Sequence, residues 1–576
     1  KKPARVEMSS MPPPAKKART QLRKNDSGDA ALMLEASSRV VDPQLLLNGK
    51  LLQVLAKENL AGFQKLFPDA PLALGPRQDR TNLMTLTWAS VCSGSEGIFH
   101  VMEAMNEAYA ELDLQVKLEH VFSCENVPDK RVWIEAVINA GALFAKEQTD
   151  ASGGVGEDDS PESKHCIFED ITTLGDGRAF CTRHGDKCQV TGVDILFGGT
   201  SCKDLSRQNS TAKAASKANP ASGLVLEQNT SRGGSAQTFH GLMAYCQTHR
   251  PRFVVFENVD AIDDAAQGQQ TNLDILMTAM GQLGYQGQRL MTDAAEFGLP
   301  CRRRRVYVFF VYTKNPRLRQ YDRSLGTVML KFRSFVASCV RSPPCASSIL
   351  LADDDDGLQE ALEERIEKHE RSKKGKRNQS SNWVAQHMKA AEGLGIRWGL
   401  STPPELCGNE WYGTLTDREA DALKISQHQS PLAGFRNLSQ TIGRINSHSL
   451  QAAEPGAQPK HLAPTMLPGQ LLWTHLAESP RLVLGREALM FHAFPILPLL
   501  AKLKKKGIIA ENSAGKQKRW PSEQLLQELA GNSMAFPVVL AIAQAGFAAV
   551  WLQPANTESD SGSVAAAMAA MNLLMG

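Results

Sequence analysis

The chain lacks the features that would assign it to a membrane, to the secretory pathway or to a strongly charged class of protein. The longest apolar run, near residues 536–552, is interrupted by Gln544 and is too short to cross a bilayer. We find no secretory signal, and the 11 cysteines show no paired spacing, which favours a reducing compartment. A net charge of +3 over 576 residues gives no general affinity for polyanions. These absences predict a soluble, intracellular protein with no membrane partner.

What the sequence does contain is a series of apolar segments, each followed by small or polar residues. Residues 194–198 run into a glycine pair and then Cys202, and a second apolar segment leads directly into Glu257 and Asn258. Short apolar runs that stop in this way are typical of buried parallel strands. Between about 83 and 314 such strands alternate with helical stretches, which predicts a doubly wound α/β sheet. Sheets of this kind place their chemistry in the loops at the carboxyl ends of the strands.

These segments, in this order, resemble the motifs of the cytosine-5 DNA methyltransferases. The family's nucleophile loop, normally Gly-Pro-Pro-Cys-Gln, is similar to residues 198–206, and its Glu-Asn-Val is present at 257–259. The resemblance implies a doubly wound Rossmann-like methyltransferase sheet with a smaller, irregular target-recognition domain. Its glycine loop, nucleophile loop, acid strand, basic turn and two closing segments correspond to residues 90–97, 198–206, 257–259, 301–305, 481–495 and 531–538.

The resemblance also assigns catalytic roles. Cys202 is the expected nucleophile, because a thiolate that adds to carbon 6 of cytosine makes carbon 5 nucleophilic. Glu257 is expected to keep its proton through burial and to stabilise the ring at nitrogen 3. Arg303 and Arg305 match the two arginines of the family's basic turn and are expected to anchor the cytosine carbonyl and the Cys202 loop, whereas Asn258 is expected to hold loop geometry. The target carbon is inaccessible inside a duplex, so the base must be flipped out.

The expected cofactor is S-adenosylmethionine. Glu125 ends the second predicted strand and is placed to accept the hydroxyls of the cofactor ribose, and Asp170 lies where the family contacts the adenine ring. The spacing at 94–97 differs from G-x-G-x-x-G and disfavours a dinucleotide. The expected cofactor-binding residues are Cys92, Ser93, Gly94, Gly97, Glu125, Asp170, Asn532 and Ser533.

Four residues depart from the family pattern. Ser201 replaces the proline before the nucleophile, which predicts a looser loop. Lys203 replaces a glutamine, and its ammonium is expected to lower the pKa of Cys202. Glu96 replaces a glycine of the cofactor loop, where its side chain either crowds the methionine moiety or points to solvent. Cys301 replaces the glutamine of the basic turn.

The loop that follows Cys202 has few apolar side chains and is expected to be mobile and to close over the target base. Four basic residues in this loop are expected to contact DNA phosphates as it closes, with solvation as the alternative: Lys203, Arg207, Lys213 and Lys217.

The resemblance and the composition together divide the chain into six regions. The basic stretch Lys16 to Lys24 is read as a nuclear localisation signal or a phosphate contact, or as a tail with neither role. The regions are a disordered basic tail (1–40), a helical preface (41–82), a catalytic methyltransferase domain (83–314), a target-recognition region (315–475), closing motifs that return to the catalytic domain (476–555) and a flexible tail (556–576).

Three cysteines and a histidine form the one candidate for a metal site. Cys181, His184 and Cys188 have the spacing Cys-x2-His-x3-Cys, and Cys166 lies upstream, so that four soft ligands are available for tetrahedral zinc. The family core does not require zinc, and scattered thiols with an exposed histidine are the alternative. We therefore expect no metal, with these four residues kept as a zinc candidate.

Three functions remain open from the sequence. The first is a nuclear DNA (cytosine-5-)-methyltransferase whose partner is cytosine-containing duplex DNA. The second is the same enzyme acting on RNA of the transfer RNA type, and the third is a catalytically silent protein that binds DNA or cofactor and recruits partners. The sequence identifies no protein partner.

Overall fold

The computed structural model describes ten stretches of the chain, namely 39–66, 84–114, 116–143, 165–207, 224–265, 270–314, 325–374, 382–439, 461–509 and 520–550. The predicted basic tail up to residue 38, Lys213, Lys217 and the predicted C-terminal tail lie outside the described residues. The strands are β1 (Met84–Val91), β2 (Val116–Cys124), β3 (Cys166–Phe168), β4 (Arg178–Cys181), β5 (Asp186–Gln189), β6 (Ile195–Gly198), β7 (Phe253–Val259), β8 (Tyr285–Asp293), β9 (Arg304–Tyr312), β10 (Phe435–Asn437), β11 (Leu472–Thr474) and β12 (Arg481–Leu482).

The helices lie between these strands and in the C-terminal third of the chain. They are α1 (Pro43–Leu47), α2 (Leu51–Leu66), α3 (Gly97–Glu111), α4 (Pro128–Ala140), α5 (Ser235–His249), α6 (Asn272–Gln282), α7 (Leu325–Ser338), α8 (Asp356–Lys374), α9 (Asn382–Gly393), α10 (Glu410–Gly413), α11 (Asp417–Gln429), α12 (Gly485–Met490), α13 (Ile496–Lys505), α14 (Glu523–Asn532) and α15 (Phe536–Val550). Six-residue and shorter 3-10 helices occupy Ile171–Asp176, Val225–Glu227, Asp260–Asp263, Ala294–Glu296, Ala346–Ile349 and Pro404–Leu406.

One nine-stranded sheet organises the larger part of the molecule. Its strand order is β5-β4-β3-β2-β1-β6-β7-β9-β8. β1 pairs in parallel with β2 and β6, β2 with β3 and β6 with β7, whereas β9 is antiparallel to β7 and β8. The order reverses between β1 and β6, so the chain leaves neighbouring strands in opposite directions and opens a crevice at their carboxyl ends. The predicted doubly wound α/β sheet is confirmed.

Helices cover both faces of this sheet because its strands are apolar on both sides. Every residue of β7 is buried, including Glu257 and Asn258 at its carboxyl end. Trp88, Phe253 and Phe309 point into a core formed with α2, α3, α4, α7 and α15. Alternate residues of the same strands point into a second core formed with α5 and α6. Because both faces of the sheet are buried, the ends of the strands are the part of the sheet where a ligand could bind.

The N-terminal helices dock on the C-terminal one. Gln544, which interrupts the apolar run of α15, is completely buried, accepts a hydrogen bond from Asn59 Nδ2 (3.0 Å) and donates one to the Ala56 carbonyl (2.8 Å). The polar residue therefore joins α2 to α15. In the described part of the chain no single helix is long and apolar enough to span a membrane. Helices α14 and α15 qualify only as a pair, by length and composition, with a bend of 42° between them.

A smaller, mostly helical region follows the sheet. It contains the antiparallel strands β10, β11 and β12 and the helices α8 to α11. A capping box formed by Thr416 and Glu419 opens α11. Helix α7, which lies early in the predicted target-recognition region, packs instead on α15 and α2 of the large sheet.

Candidate active site

A cleft opens where β1 and β6 diverge. The space between its walls is about 380 Å³, part of which is open solvent. Hydroxyl, thiol and carboxylate groups face apolar side chains across it. The lining residues are Ser90, Val91, Cys92, Ser93, Ser95, Gly97, Ile98, Phe197, Gly199, Glu257, Asn532, Met534 and Phe536.

The loop between β1 and α3 has an unusual backbone. Cys92, Gly94 and Glu96 all have positive φ, at 54°, 57° and 56°. Two of these residues are not glycine, and left-handed backbone costs such residues on the order of 1 kcal/mol each. A Cβ at Gly97 would collide with the ring of Phe536, so this position requires glycine. Strain of this kind is concentrated at functional sites.

Glu96 adopts neither of the two orientations expected from the sequence. Its side chain is completely buried, and both carboxylate oxygens accept hydrogen bonds from Ser90 Oγ, at 2.9 and 2.8 Å. Burial raises the pKa of this carboxyl from 4.5 to about 7, although hydrogen bonds from Ser90, Ser123 and Ser93 oppose the shift. Glu96 therefore turns back toward the strand ends, and it does not point to solvent.

The two acidic residues expected to meet the cofactor lie at adjacent strand ends. Glu125 is buried beyond β2, and its two oxygens accept hydrogen bonds from the amides of Gly94 (3.0 Å) and Val127 (3.1 Å). Asp170 is exposed beyond β3 and caps a 3-10 helix by accepting from Thr172 N at 2.8 Å. A carboxylate has about four acceptor positions, so both groups keep capacity for hydroxyl donors.

The closing segment completes the cleft. Ser533 Oγ donates to Ser95 Oγ (2.8 Å), and Asn532 lines the cleft opposite the glycine loop. A Cβ at Gly199 would lie 2.9 Å from the terminal methyl of Met534, which sets how closely the nucleophile loop approaches this segment. Met534 and Phe536 belong to the closing segment 531–538, of which the sequence singled out only Asn532 and Ser533.

The nucleophile loop is held by hydrogen bonds and is not the looser loop predicted from Ser201. The Ser201 amide donates to Thr238 Oγ1 (3.0 Å), and its hydroxyl donates to the Gly233 carbonyl (2.8 Å). A proline at this position has no N–H and could make neither bond. With serine in place of proline, the loop loses a rigid ring and gains two hydrogen bonds to residues at the start of α5.

Asp204, which the sequence did not single out, is the centre of the same network. Its carboxylate accepts hydrogen bonds from the Gly233 amide (2.7 Å), Ser231 Oγ (2.7 Å) and the Ser235 amide (3.1 Å). Burial acts to raise its pKa, but these hydrogen bonds outweigh burial and lower the pKa below 3.8. In the sequence, the only local sign of this role is that Asp204 lies two positions after Cys202. Its hydrogen-bond partners lie 27 to 31 residues further along the chain.

One expectation for the basic residues in this loop is wrong and another stays a prediction. Arg207 is exposed and forms ion pairs with Asp260 (2.8 Å) and Asp264 (2.6 Å), and its contact with DNA phosphates stays a prediction. The pKa of Cys202 is raised, and not lowered as was expected from Lys203. Burial raises that pKa, and the charges that oppose the shift belong to Arg305 and Arg303.

The acid and the arginines lie on adjacent antiparallel strands. Arg305 Nε lies 3.1 Å from Glu257 Oε1, but the two atoms are not aligned as a hydrogen bond, and Oε1 has no hydrogen-bond partner among the described residues. Arg303 is buried, its Nη atoms reach the Gly531 carbonyl only at 3.4 and 3.5 Å, and its Nε also lacks a described partner. Asn258 Nδ2 donates to the Thr200 carbonyl (3.1 Å), so it fixes the loop before Cys202.

The remaining singled-out residues lie outside the cleft. Cys301 is buried and donates to the Phe491 carbonyl (3.1 Å), which ties the basic turn to the closing motifs. The four zinc candidates, Cys166, Cys181, His184 and Cys188, come together at the far edge of the sheet, with ligand atoms all within 4.8 Å of one another.

Comparison with known proteins agrees with the sequence motifs. Residues 164–414 match the family model described as C-5 cytosine-specific DNA methylase. Over 474 residues the chain is 27% identical to DNA (cytosine-5-)-methyltransferase DMT5 of Cryptococcus neoformans var. grubii, covering 78% of this chain and 16% of that protein. Over 120 residues it is 27% identical to the type II methyltransferase M.Sau3AI of Staphylococcus aureus, covering 21% of this chain and 26% of that protein.

Among solved structures, the Schizosaccharomyces pombe Dnmt2 methyltransferase aligns with 80% of this chain and 98% of its own, at 12% identity and a TM-score of 0.37. The chain spans about a sixth of the length of DMT5 and about a quarter of that of M.Sau3AI.

The family implies S-adenosylmethionine as the cofactor, and the cleft suits it. The cleft combines serine hydroxyls with the apolar side chains of Phe197 and Phe536, and Glu125 is bonded to Gly94 in the loop beside it, which matches a ligand with polar ends and a flat adenine ring. The family match, the sheet topology and the ordered motifs agree with one another: residues 164–414 are similar to a C-5 cytosine-specific DNA methylase domain.

Proposed function

We propose that this chain transfers a methyl group to carbon 5 of cytosine in DNA, with Cys202 as a transient covalent nucleophile. The observation that supports this most directly is a set of buried polar atoms beside Cys202. Glu257 Oε1 and Arg303 Nε have no hydrogen-bond partner among the described residues. An unpaired buried polar atom costs about 1–3 kcal/mol, so such atoms are retained where a ligand pairs with them. A cytosine ring offers acceptors and donors to both.

The chemistry follows from these groups. The Cys202 thiol loses its proton to solvent and its sulfur bonds to carbon 6, while Glu257 donates to ring nitrogen 3 and disperses the charge that forms. The positive charges of Arg305 and Arg303 favour the thiolate against the effect of burial. Carbon 5 then acts as a nucleophile toward a methyl group. Loss of the carbon 5 proton to water and elimination of the thiolate would release the methylated base.

S-adenosylmethionine, when bound, supplies the electrophilic methyl group. Ser93, Gly94 and Ser533 would surround its polar end through hydroxyl and backbone groups, and Glu125 would accept its ribose hydroxyls. Asp170, at the end of β3, stays the expected contact of the adenine ring. Cys92 lines the same cleft, and burial raises the pKa of its thiol to about 12, so it serves as an uncharged wall.

DNA is the polymer that the family match favours. Cytosine would enter the site flipped from its duplex, because carbon 5 and carbon 6 must approach Cys202 and the cleft together. Contacts to the sugar-phosphate backbone would dominate affinity and make it depend on salt. A nuclear location is the compartment that such a substrate requires in a eukaryotic cell, and it stays part of this proposal.

Covalent trapping tests nucleophile and polymer in one experiment. The full chain is incubated with S-adenosylmethionine and with duplex DNA, or separately RNA, in which the target cytosines carry fluorine at carbon 5. Fluorine blocks the final elimination, so the adduct survives denaturing electrophoresis. We expect an adduct on DNA with the wild type and with Cys407→Ala, an exposed thiol remote from the cleft, and none with Cys202→Ala.

The alternative functions give different results. An adduct on RNA alone would replace DNA by RNA as the substrate. Measurable binding of S-adenosylmethionine without an adduct on either polymer would overturn the enzyme assignment and favour a silent binding protein.

A further inference from the structure

The edge of the sheet farthest from β8 is a short hairpin with little hydrophobic support. In β4 only Ala179 and Cys181 are buried, and β5 has no buried side chain. The hairpin is nevertheless paired along its whole length, from Arg178 with Gln189 to Cys181 with Asp186. An edge hairpin with so few buried side chains gains little from the hydrophobic core, so a further interaction would add to its stability.

Four soft ligands meet at the end of this hairpin that carries the turn. Cys181 ends β4, Cys188 lies in β5, His184 belongs to the four-residue turn between them, and Cys166 begins the neighbouring strand β3. Gly185 completes the turn with φ of +67°, where a side chain would be strained. Three adjacent strands thus contribute to one cluster.

One ring nitrogen of the histidine faces all three sulfurs. His184 Nδ1 lies 3.2 Å from Cys188 Sγ, 3.4 Å from Cys181 Sγ and 3.7 Å from Cys166 Sγ. In tetrahedral zinc, with bonds of about 2.3 Å to sulfur and about 2.0 Å to nitrogen, a sulfur and a nitrogen ligand lie about 3.5 Å apart. The three distances bracket that value, and all four ligand atoms lie within 4.8 Å of one another.

The surroundings also suit a metal-bound thiolate. The Ile167 amide donates to Cys181 Sγ at 3.3 Å, a contact of the kind that orients and stabilises metal ligands from outside the coordination sphere. All three cysteines are free thiols in the structure.

We propose that Cys166, Cys181, His184 and Cys188 bind one structural Zn²⁺ that fastens the β4–β5 hairpin to β3. Four protein ligands complete a tetrahedral sphere and leave no open position for water, so the site is structural and not catalytic. Each thiol loses its proton on binding, which gives a Cys₃His site with no redox change. Because Asp170 follows β3 directly, the metal also fixes the strand end that faces the cofactor cleft.

Metal analysis of the full chain tests this directly. Protein expressed with added zinc, purified by gel filtration and rinsed with a weak chelator should contain about one zinc per chain. We expect Cys188→Ser and His184→Ala to lower the zinc content severalfold, and His184→Cys, which supplies a fourth thiolate, to retain it. Cys407→Ser, an exposed thiol elsewhere, is the matched control and should keep full occupancy.

Two further readouts apply even if the ligand variants fold poorly. Wild type loaded with Co²⁺ alone should show thiolate-to-metal charge-transfer bands and intense d–d bands typical of tetrahedral coordination. Removing the metal with a strong chelator should speed trypsin cleavage after Arg183 and Lys187 roughly tenfold, because cleavage follows the population of the open hairpin. Zinc at the level of a metal-free control protein, octahedral Co²⁺ spectra, or a disulfide between two of the three cysteines would each overturn the proposal.

Discussion

Two buried Arg–Glu pairs in this molecule have the same chemistry and opposite surroundings. Arg481 and Glu487 form a bidentate pair at 2.9 and 2.8 Å, and the carboxylate also accepts hydrogen bonds from the amides of Leu351 and Leu484. Arg305 and Glu257 approach at 3.1 Å without hydrogen-bond alignment, and no amide completes Glu257 Oε1 among the described residues. The first pair has its acceptor positions filled by the protein, whereas the second leaves them for a ligand.

This difference in hydrogen bonding distinguishes the structural pair Arg481–Glu487 from the pair Arg305–Glu257, which we propose takes part in the reaction. The distinction does not depend on sequence motifs. Arg481 also donates to the Leu351 carbonyl at 2.8 Å, so its pair joins β12 and α12 to the chain before α8. Glu257 stands at the end of β7 in the cleft, where binding of a substrate would supply the missing partners. Predictions about the two pairs should therefore differ in kind, with stability affected at one and turnover at the other.

The largest expected effect is on folding, from Arg481→Met. Removing one partner of a buried pair leaves Glu487 charged and unpaired, which destabilises proteins by about 3–5 kcal/mol. Chemical denaturation monitored by circular dichroism would measure the loss. Arg371→Met is the control, because its pair with Glu367 lies on an exposed helix face and exposed pairs contribute about 0.5 kcal/mol or less. An equal loss of stability in the two variants would contradict the view that the buried pair contributes more than the exposed one.

Glu257→Gln should instead reduce turnover. The amide cannot transfer a proton to ring nitrogen 3, and loss of a positioned acid costs about 10²–10⁴-fold in rate. The free energy of unfolding should fall by less than in Arg481→Met, because Glu257 Oε1 has no described hydrogen bond to lose and only its charge contact with Arg305 is removed. Single-turnover methyl transfer from labelled S-adenosylmethionine to DNA gives the rate, and denaturation gives the stability. A variant that loses stability but keeps its rate would place Glu257 with the structural pair.

Glu96 provides a third buried carboxylate, with serine in place of arginine as its partner. Its pKa in the folded protein, about 7, exceeds its ordinary value of 4.5, so folding favours the protonated form. Its contribution to stability is full below pH 4.5 and is lost as the pH rises to about 7. The total change is about 3 kcal/mol, from 1.36 kcal/mol per pKa unit.

The test of this pH dependence is Glu96→Gln, which mimics the protonated acid. Compared with the wild type, the variant should have about equal stability at pH 5 and be more stable by up to about 3 kcal/mol at pH 8. Glu392→Gln, on an exposed part of α9, should show a difference that does not change with pH. A constant difference for Glu96→Gln between pH 5 and pH 8 would contradict the assignment.

The smallest expected effect is at Ser201. Ser201→Pro removes the bonds to Thr238 and Gly233 and should destabilise the protein by about 1–2 kcal/mol, partly offset by the stiffer backbone. Ser201→Ala keeps the amide donor and should cost about half as much. Thermal denaturation distinguishes the two, and a proline variant at least as stable as the wild type would mean that the tethers contribute nothing.

The sequence predicted the fold class, and the residues predicted for the site at the ends of β1, β6 and β7 lie at one edge of the sheet. Buried parallel strands are nearly continuous apolar runs, so β6 and β7 were recognisable, and the residues at their ends necessarily lie side by side. The orientation of Glu96 was not predictable, because Ser90 and Ser123 meet it only after β1 and β2 pair. Arg207 likewise finds its acidic partners more than fifty residues away, through tertiary contact that no local pattern encodes.

The zinc cluster is an intermediate case. All four candidate ligands were visible in the sequence, but they could not be distinguished from scattered thiols until the pairing of β3, β4 and β5 brought them together.

The contribution of α14 and α15 to the cleft has a consequence for biosynthesis. Asn532, Met534 and Phe536 form one wall, and Gln544 anchors the following helix to α2 near the start of the described chain. A ribosome must therefore translate past residue 550 before that wall can be built. Until then the polypeptide carries Cys202 without this wall of the cleft, so premature termination before α14 would leave the proposed cofactor site incomplete.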